Sequence, residues 1–141
     1  CSISDFIIES EKVFSLGLQR TYSSELTEKT QVYPRVCGKG NYHYETIQIN
    51  VQQDGSYTFD SHTDIQLYGY IYRNDFDPSY PDKNLLAQSN FSCGEDFKVG
   101  SYFEVNTIYI LVVTTSNPDV RGNFTLLIIG PNNITLNRIS K

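Results

Sequence analysis

Tryptophan and methionine are missing from this sequence, and it holds only two histidines and three cysteines. Cys1, Cys37 and Cys93 lie far apart and in no C-x-x-C or Cys/His spacing, which argues against zinc sites and thioredoxin-like chemistry. His43 and His62 sit in polar stretches, and no G-x-S-x-G occurs, so nothing marks a nucleophilic hydrolase. Basic residues are also in short supply, with 11 Lys and Arg against 16 Asp and Glu. The resulting net charge of −5 disfavours nucleic acid or an anionic lipid surface as a partner. No apolar run approaches the roughly 20 residues that a helical membrane span requires, so none is expected. The sequence shows neither an initiator methionine nor a secretory leader, and the expectation is that Cys1 marks a processed or trimmed start.

What the chain does have is 11 Tyr and 8 Phe among many β-branched residues, a composition that suits pleated surfaces. Ile108 to Thr115 forms an apolar run, Ser116 to Arg121 a polar turn, and Asn123 to Pro131 a second apolar run; these read as neighbouring buried strands. Tyr44 to Val51 alternates, with Ile47, Ile49 and Val51 on one face and Thr46, Gln48 and Asn50 on the other. Gln52 to Ser56 then supplies a hairpin turn, and Tyr57-Thr58-Phe59 starts the returning strand. Asp64 to Arg73 is amphipathic: Ile65, Leu67 and Ile71 point one way, Gln66, Tyr68, Tyr70 and Tyr72 the other. Leu85-Leu86-Ala87 and Phe103-Glu104-Val105 add two short strands, and the loop Asn74 to Lys83 is too polar for a core. With no helical period and no repeat, about eight strands imply an all-β fold, a two-sheet antiparallel β-sandwich of the jelly-roll kind. It occupies residues 19–141, with an extended N-terminal arm over residues 1–18.

Five segments carry a family likeness in their order: Tyr44-Glu45-Thr46-Ile47-Gln48-Ile49, Gly55-Ser56-Tyr57-Thr58-Phe59, Asp64 to Tyr70, Tyr109 to Val113, and Gly122-Asn123-Phe124-Thr125-Leu126. Over roughly residues 21–131 the chain resembles the bacterial pre-peptidase C-terminal domain and its relatives in eukaryotic surface proteins. The resemblance implies a secreted, non-catalytic β-sandwich, often appended to enzymes or repeated in adhesive proteins. The apolar N-terminal arm and the odd cysteine depart from that pattern.

Sequons at Asn90, Asn123 and Asn133 suggest N-linked glycans and a secreted, extracellular protein. In that compartment one disulfide is expected, with Cys37–Cys93 the first choice and Cys1 left free or linked to another chain. Asp75, Asp77, Asp82, Glu95 and Asp96 could be weighed as a calcium site, but they lack EF-hand spacing, and solvated loop acids are the preferred reading. No metal, no cofactor and no catalytic residue is expected. The stripe Tyr68, Tyr70 and Tyr72 is a possible ligand face, or else packs across the sandwich or under a loop.

The arm is the most telling segment. Phe6, Ile8, Phe14, Leu16 and Leu18 make it apolar, and an apolar extended segment left bare invites aggregation. Either it is the first strand of its own sandwich, or it adds to a neighbouring protomer as a donated strand. At about 3.3 Å per residue it could span nearly 60 Å. Arm and acceptor are different surfaces, so the contact would be heterologous and build rings or filaments of identical subunits. The expected function is therefore an extracellular structural subunit assembling head to tail. The alternative is a non-catalytic carbohydrate- or protein-binding module of a secreted or surface protein.

Overall fold

The computed structural model describes residues 18–34, 40–63, 65–89, 97–118 and 120–140. Among them are ten strands: β1 (Leu18–Leu26), β2 (Val32–Tyr33), β3 (Tyr42–Val51), β4 (Gly55–His62), β5 (Leu67–Arg73), β6 (Leu85–Gln88), β7 (Lys98–Phe103), β8 (Tyr109–Thr115), β9 (Gly122–Gly130) and β10 (Ile134–Ile139). One sheet runs β1-β9-β4-β7; the other runs β10-β3-β8-β5-β6, with the two-residue β2 also on β3. Every pairing is antiparallel. Setting aside β2 and β10 leaves eight strands. In chain order the first, eighth, third and sixth form one sheet, and the second, seventh, fourth and fifth the other. That order is the jelly roll, two Greek keys folded into facing sheets.

The order overturns two expected neighbourhoods. The turn Gln52 to Ser56 is no hairpin, because β3 bonds to β8 and β10 while β4 bonds to β7 and β9. The chain crosses there from one sheet to the other, so Ile47 and Ile49 meet Tyr57 and Phe59 across the core. Likewise β8 and β9 are not paired neighbours; they lie in opposite sheets. Turn residues announce a reversal of direction, and a reversal between sheets needs the same chemistry as one within a sheet.

Strand burial follows from these positions. In β9 only alternate residues are buried, as for a strand with one face on the core. In β8 all seven are buried: Tyr109, Leu111 and Val113 face the main core, while Ile110 and Val112 face a second cluster on the sheet's outer side. Two further expectations shift. Leu18, assigned to the arm, opens β1 and pairs with Gly130. Phe103 ends β7, leaving Glu104 and Val105 outside the strand. Beyond these, the C-terminal residues Ile134 to Ile139 form a ladder strand on β3 that the sequence reading had not placed.

Candidate functional site

Side chains on alternate residues of β5 point to opposite faces, so Leu67 and Ile71 enter the main core while Tyr70 and Tyr72 join the outer cluster. That outer face is roofed. Phe76, in the loop after β5, is fully buried with its ring centroid 4.7 Å from that of Tyr72, and it meets the rings of Tyr33 and Tyr44 at 5.5 and 5.7 Å. Tyr33 of β2 lies 4.6 Å from Tyr44, and the Tyr72 hydroxyl donates to the Pro81 carbonyl. Tyr70 and Tyr72 are therefore buried and Tyr68 half-buried: of the two readings of the stripe, the geometry is that of packing under a loop. The loop judged too polar for a core supplies the core's outer lid. Asn74 and Asn84, both with left-handed backbones (φ 72° and 66°), bracket that loop. The Asp77 carboxylate accepts the Ser79 amide at 2.9 Å, so this acid serves the turn.

A second polar feature bridges the sheets. Glu45 lies on the inward face of β3, in line with Ile47 and Ile49, and only 1% of its side chain is exposed. A buried carboxylate must find donors, and those here come from the facing sheet. On β1 the Tyr22 hydroxyl donates to Oε2 at 2.5 Å and the Ser24 hydroxyl to Oε1 at 2.6 Å. Arg138 of β10 adds a charge contact, Nε to Oε1 at 3.5 Å. Arg20 of β1 donates to the Ile134 carbonyl on β10. The open side of the sandwich between β1 and β10 is thus closed by polar bonds. Burial, then the bond to Glu45, pushes the Tyr22 hydroxyl well above the usual phenol range. Sequence reading placed Glu45 in a strand and missed its partners, since an acid in phase with Ile47, Ile49 and Val51 was the one available signal.

Between β2 and the loop after β5 runs an open groove of about 650 Å³, lined by Gln31, Val32, Tyr33, Pro34, Tyr44 and Pro78 among others. Val32 and the nearby Tyr80 are 48% and 63% exposed. His43 contacts the Thr30 carbonyl through Nδ1 at 3.0 Å. The sequon residues Asn123 and Asn133 are both exposed, near opposite ends of β9. Among the described residues no group of three or more His, Cys, Asp or Glu is arranged to hold a metal ion, and no helix is long and apolar enough to cross a membrane. Phe6, Ile8, Phe14, Leu16, Asn90 and all three cysteines, including the proposed Cys37–Cys93 pair, lie outside the described residues. The chain matches no family model and no curated protein.

Proposed function

We propose that this chain is an extracellular structural subunit that assembles head to tail, its apolar N-terminal segment adding as a strand to an edge of a neighbouring copy. The observation that carries the reading is the completeness of the jelly roll from Leu18 onward: all eight of its strands come from residues 18–130. None of those eight strands draws on residues 1–17, whose sequence holds Phe6, Ile8, Phe14 and Leu16. A complete sandwich offers no empty strand position, so an incoming strand adds at a sheet margin instead of filling a gap. The nine-residue β1 is such a margin, paired among the described residues only to β9. Its exposed side chains are polar (Gln19, Arg20, Thr21, Ser23, Glu25), the composition that keeps a lone edge soluble until its partner arrives. Burying each large apolar side chain of the arm is worth about 1.5–3 kcal/mol, against the entropy of ordering the segment.

The subunit is non-catalytic, secreted and N-glycosylated in this reading, in keeping with the resemblance to pre-peptidase C-terminal domains. Glycans at Asn123 and Asn133 would crowd both ends of the sandwich and favour contacts along its strand margins. Deleting residues 1–17 should give soluble monomers by light scattering and negative-stain imaging; undiminished assembly would sink the proposal. The groove beside β2 favours a second reading, a carbohydrate- or protein-binding module, because its exposed Val32 shares the lining with Gln31, Asn41 and Ser79, which carry amide and hydroxyl groups. That reading predicts a monomer with a saturable ligand, lost on Val32→Asp.

A further inference from the structure

Along one margin of β3, strands β2 and β10 lie end to end: β2 pairs with His43 and Tyr42, β10 with Thr46 onward. The break between them, at Tyr44 and Glu45, opens a polar notch of about 180 Å³. We infer that this notch is a binding site for a small anion, a carboxylate or sulfate presented alone or on a single sugar ring. Lys29 and Arg138 line it together with Thr30, Gln31 and Ser140. Both cations are available. Lys29 is exposed and, among the described residues, in no ion pair. Arg138 touches Glu45 through Nε at 3.5 Å, a charge contact longer than a hydrogen bond, and 62% of its side chain is exposed. One carboxylate oxygen near Nε leaves most of the five guanidinium donors open to a second oxyanion.

The buried acid makes this more than two surface cations beside a hollow. Glu45 is itself fixed by the Tyr22 and Ser24 hydroxyls of the opposite sheet. It therefore holds the arginine in place without following it outward, and a preorganised cation loses less entropy when a ligand arrives. The strand break supplies the shape, and Gln31 and Ser140 in the lining carry neutral hydrogen-bonding groups. The volume sets the size limit, since drug-sized ligands occupy sites of about 300–1,000 Å³. The protein as a whole carries charge −5, so attraction of an anion must be local to this notch.

The test is a titration of the full chain, followed by backbone amide NMR, at constant ionic strength. Sodium sulfate, sodium glucuronate and neutral glucose serve as probes. Saturable shifts at Thr30, Gln31, Thr46 and Ile139 are expected with at least one anion and not with glucose. Sulfate alone would identify a simple oxyanion site, and glucuronate binding the tighter would identify a sugar acid. Lys29→Gln, in an exposed turn, should weaken binding about fivefold, the upper end for a solvent-facing ion pair. Arg138→Gln should weaken it at least as much, while Arg121→Gln, whose partner is Glu28, should leave it unchanged. Shifts equal for glucose and the anions, no shifts at all, or an affinity in Lys29→Gln and Arg138→Gln unchanged from the parent would overturn the inference.

Discussion

Gly130→Ala should be among the most damaging single-methyl additions to this domain. Gly130 closes β9, and a Cβ built there falls 2.0, 2.4 and 2.8 Å from Cδ2, Cε2 and Cγ of Tyr57. The ring has nowhere inexpensive to go. Tyr57 is fully buried, stacks on Phe103 at 5.8 Å and 17°, and donates its hydroxyl to the Gln53 carbonyl at 2.8 Å. Behind it Phe103 stacks on Tyr109 at 4.3 Å, so displacement passes into the centre of the core. Overpacking costs about 1–3 kcal/mol, a weakened aromatic pair about 0.5–1.5 kcal/mol, and a lost hydrogen bond about 0.5–1.5 kcal/mol. Because one movement of the ring produces all three, about 3 kcal/mol is the expected total, or a melting point lower by about 10 °C. Urea denaturation followed by circular dichroism measures this. In a Tyr57→Ala background the obstacle is gone, and the same glycine substitution should cost nothing further. A cost below about 0.5 kcal/mol in the parent, or an equal cost in both backgrounds, would refute the packing argument; the second result would move the cause to the backbone.

Two further outcomes follow from the buried polar groups. Glu45→Ala should destabilise the domain by about 1–3 kcal/mol by leaving the Tyr22 and Ser24 hydroxyls without their acceptor. Arg138→Gln should cost under about 1 kcal/mol because that ion pair is largely solvent-facing on the arginine side. Equal costs for the two substitutions would mean that the ion pair, and not the hydroxyls, holds the seam. Burial raises the hydroxyl pKa of Tyr44, Tyr57 and Tyr72 above the ordinary phenol value, with Asp54 adding at Tyr57 and Tyr70 and Asp82 at Tyr72. A group whose folded pKa is raised stays protonated in the fold after the unfolded chain has released its proton. Its stabilising share is therefore complete below about pH 10 and is lost as the pH rises from there through the folded pKa. Chemical denaturation between pH 8 and 11.5 should show that decline, and a flat profile would contradict it.

The strands were legible because their burial is written in period two: in β3, Ile47, Ile49 and Val51 are buried and Gln48 and Asn50 half-buried, the alternation its sequence predicts, whereas β9, read from its apolar run as a buried strand, buries only alternate residues. What the sequence left open was which strands share a sheet. Ile47 and Phe59 look the same whether their strands lie side by side or face each other, and both arrangements bury them. The covered face of β5 illustrates a second blind spot. Its tyrosines can line a surface or a core, and the choice was made by Phe76, the buried one of two aromatics in a largely polar loop. Such a residue has no periodic neighbour to announce it. Glu45 was hidden for a similar reason: its donors Tyr22 and Ser24 stand some twenty residues earlier, in a polar strand of the other sheet. Local pattern fixes an element's faces, and long-range pairing decides what each face meets.

Completeness of the sandwich also separates two meanings of the N-terminal segment that assembly measurements alone would confuse. If residues 1–17 shelter on a neighbouring copy, their removal should abolish assembly and leave the domain's own stability unchanged. The eight strands, the core they enclose and the Glu45 seam all lie outside the deleted stretch. If the segment instead packs against its own sandwich, the deletion would bare apolar surface. Covering even two large side chains is worth about 3–6 kcal/mol, a large fraction of the roughly 5–15 kcal/mol that holds a domain folded. The deleted chain should then unfold at clearly lower urea, and any change in assembly would be a consequence of that damage. Equal urea midpoints for parent and deletion, at a concentration where both are monomeric, support strand exchange. A lower midpoint for the deletion removes it.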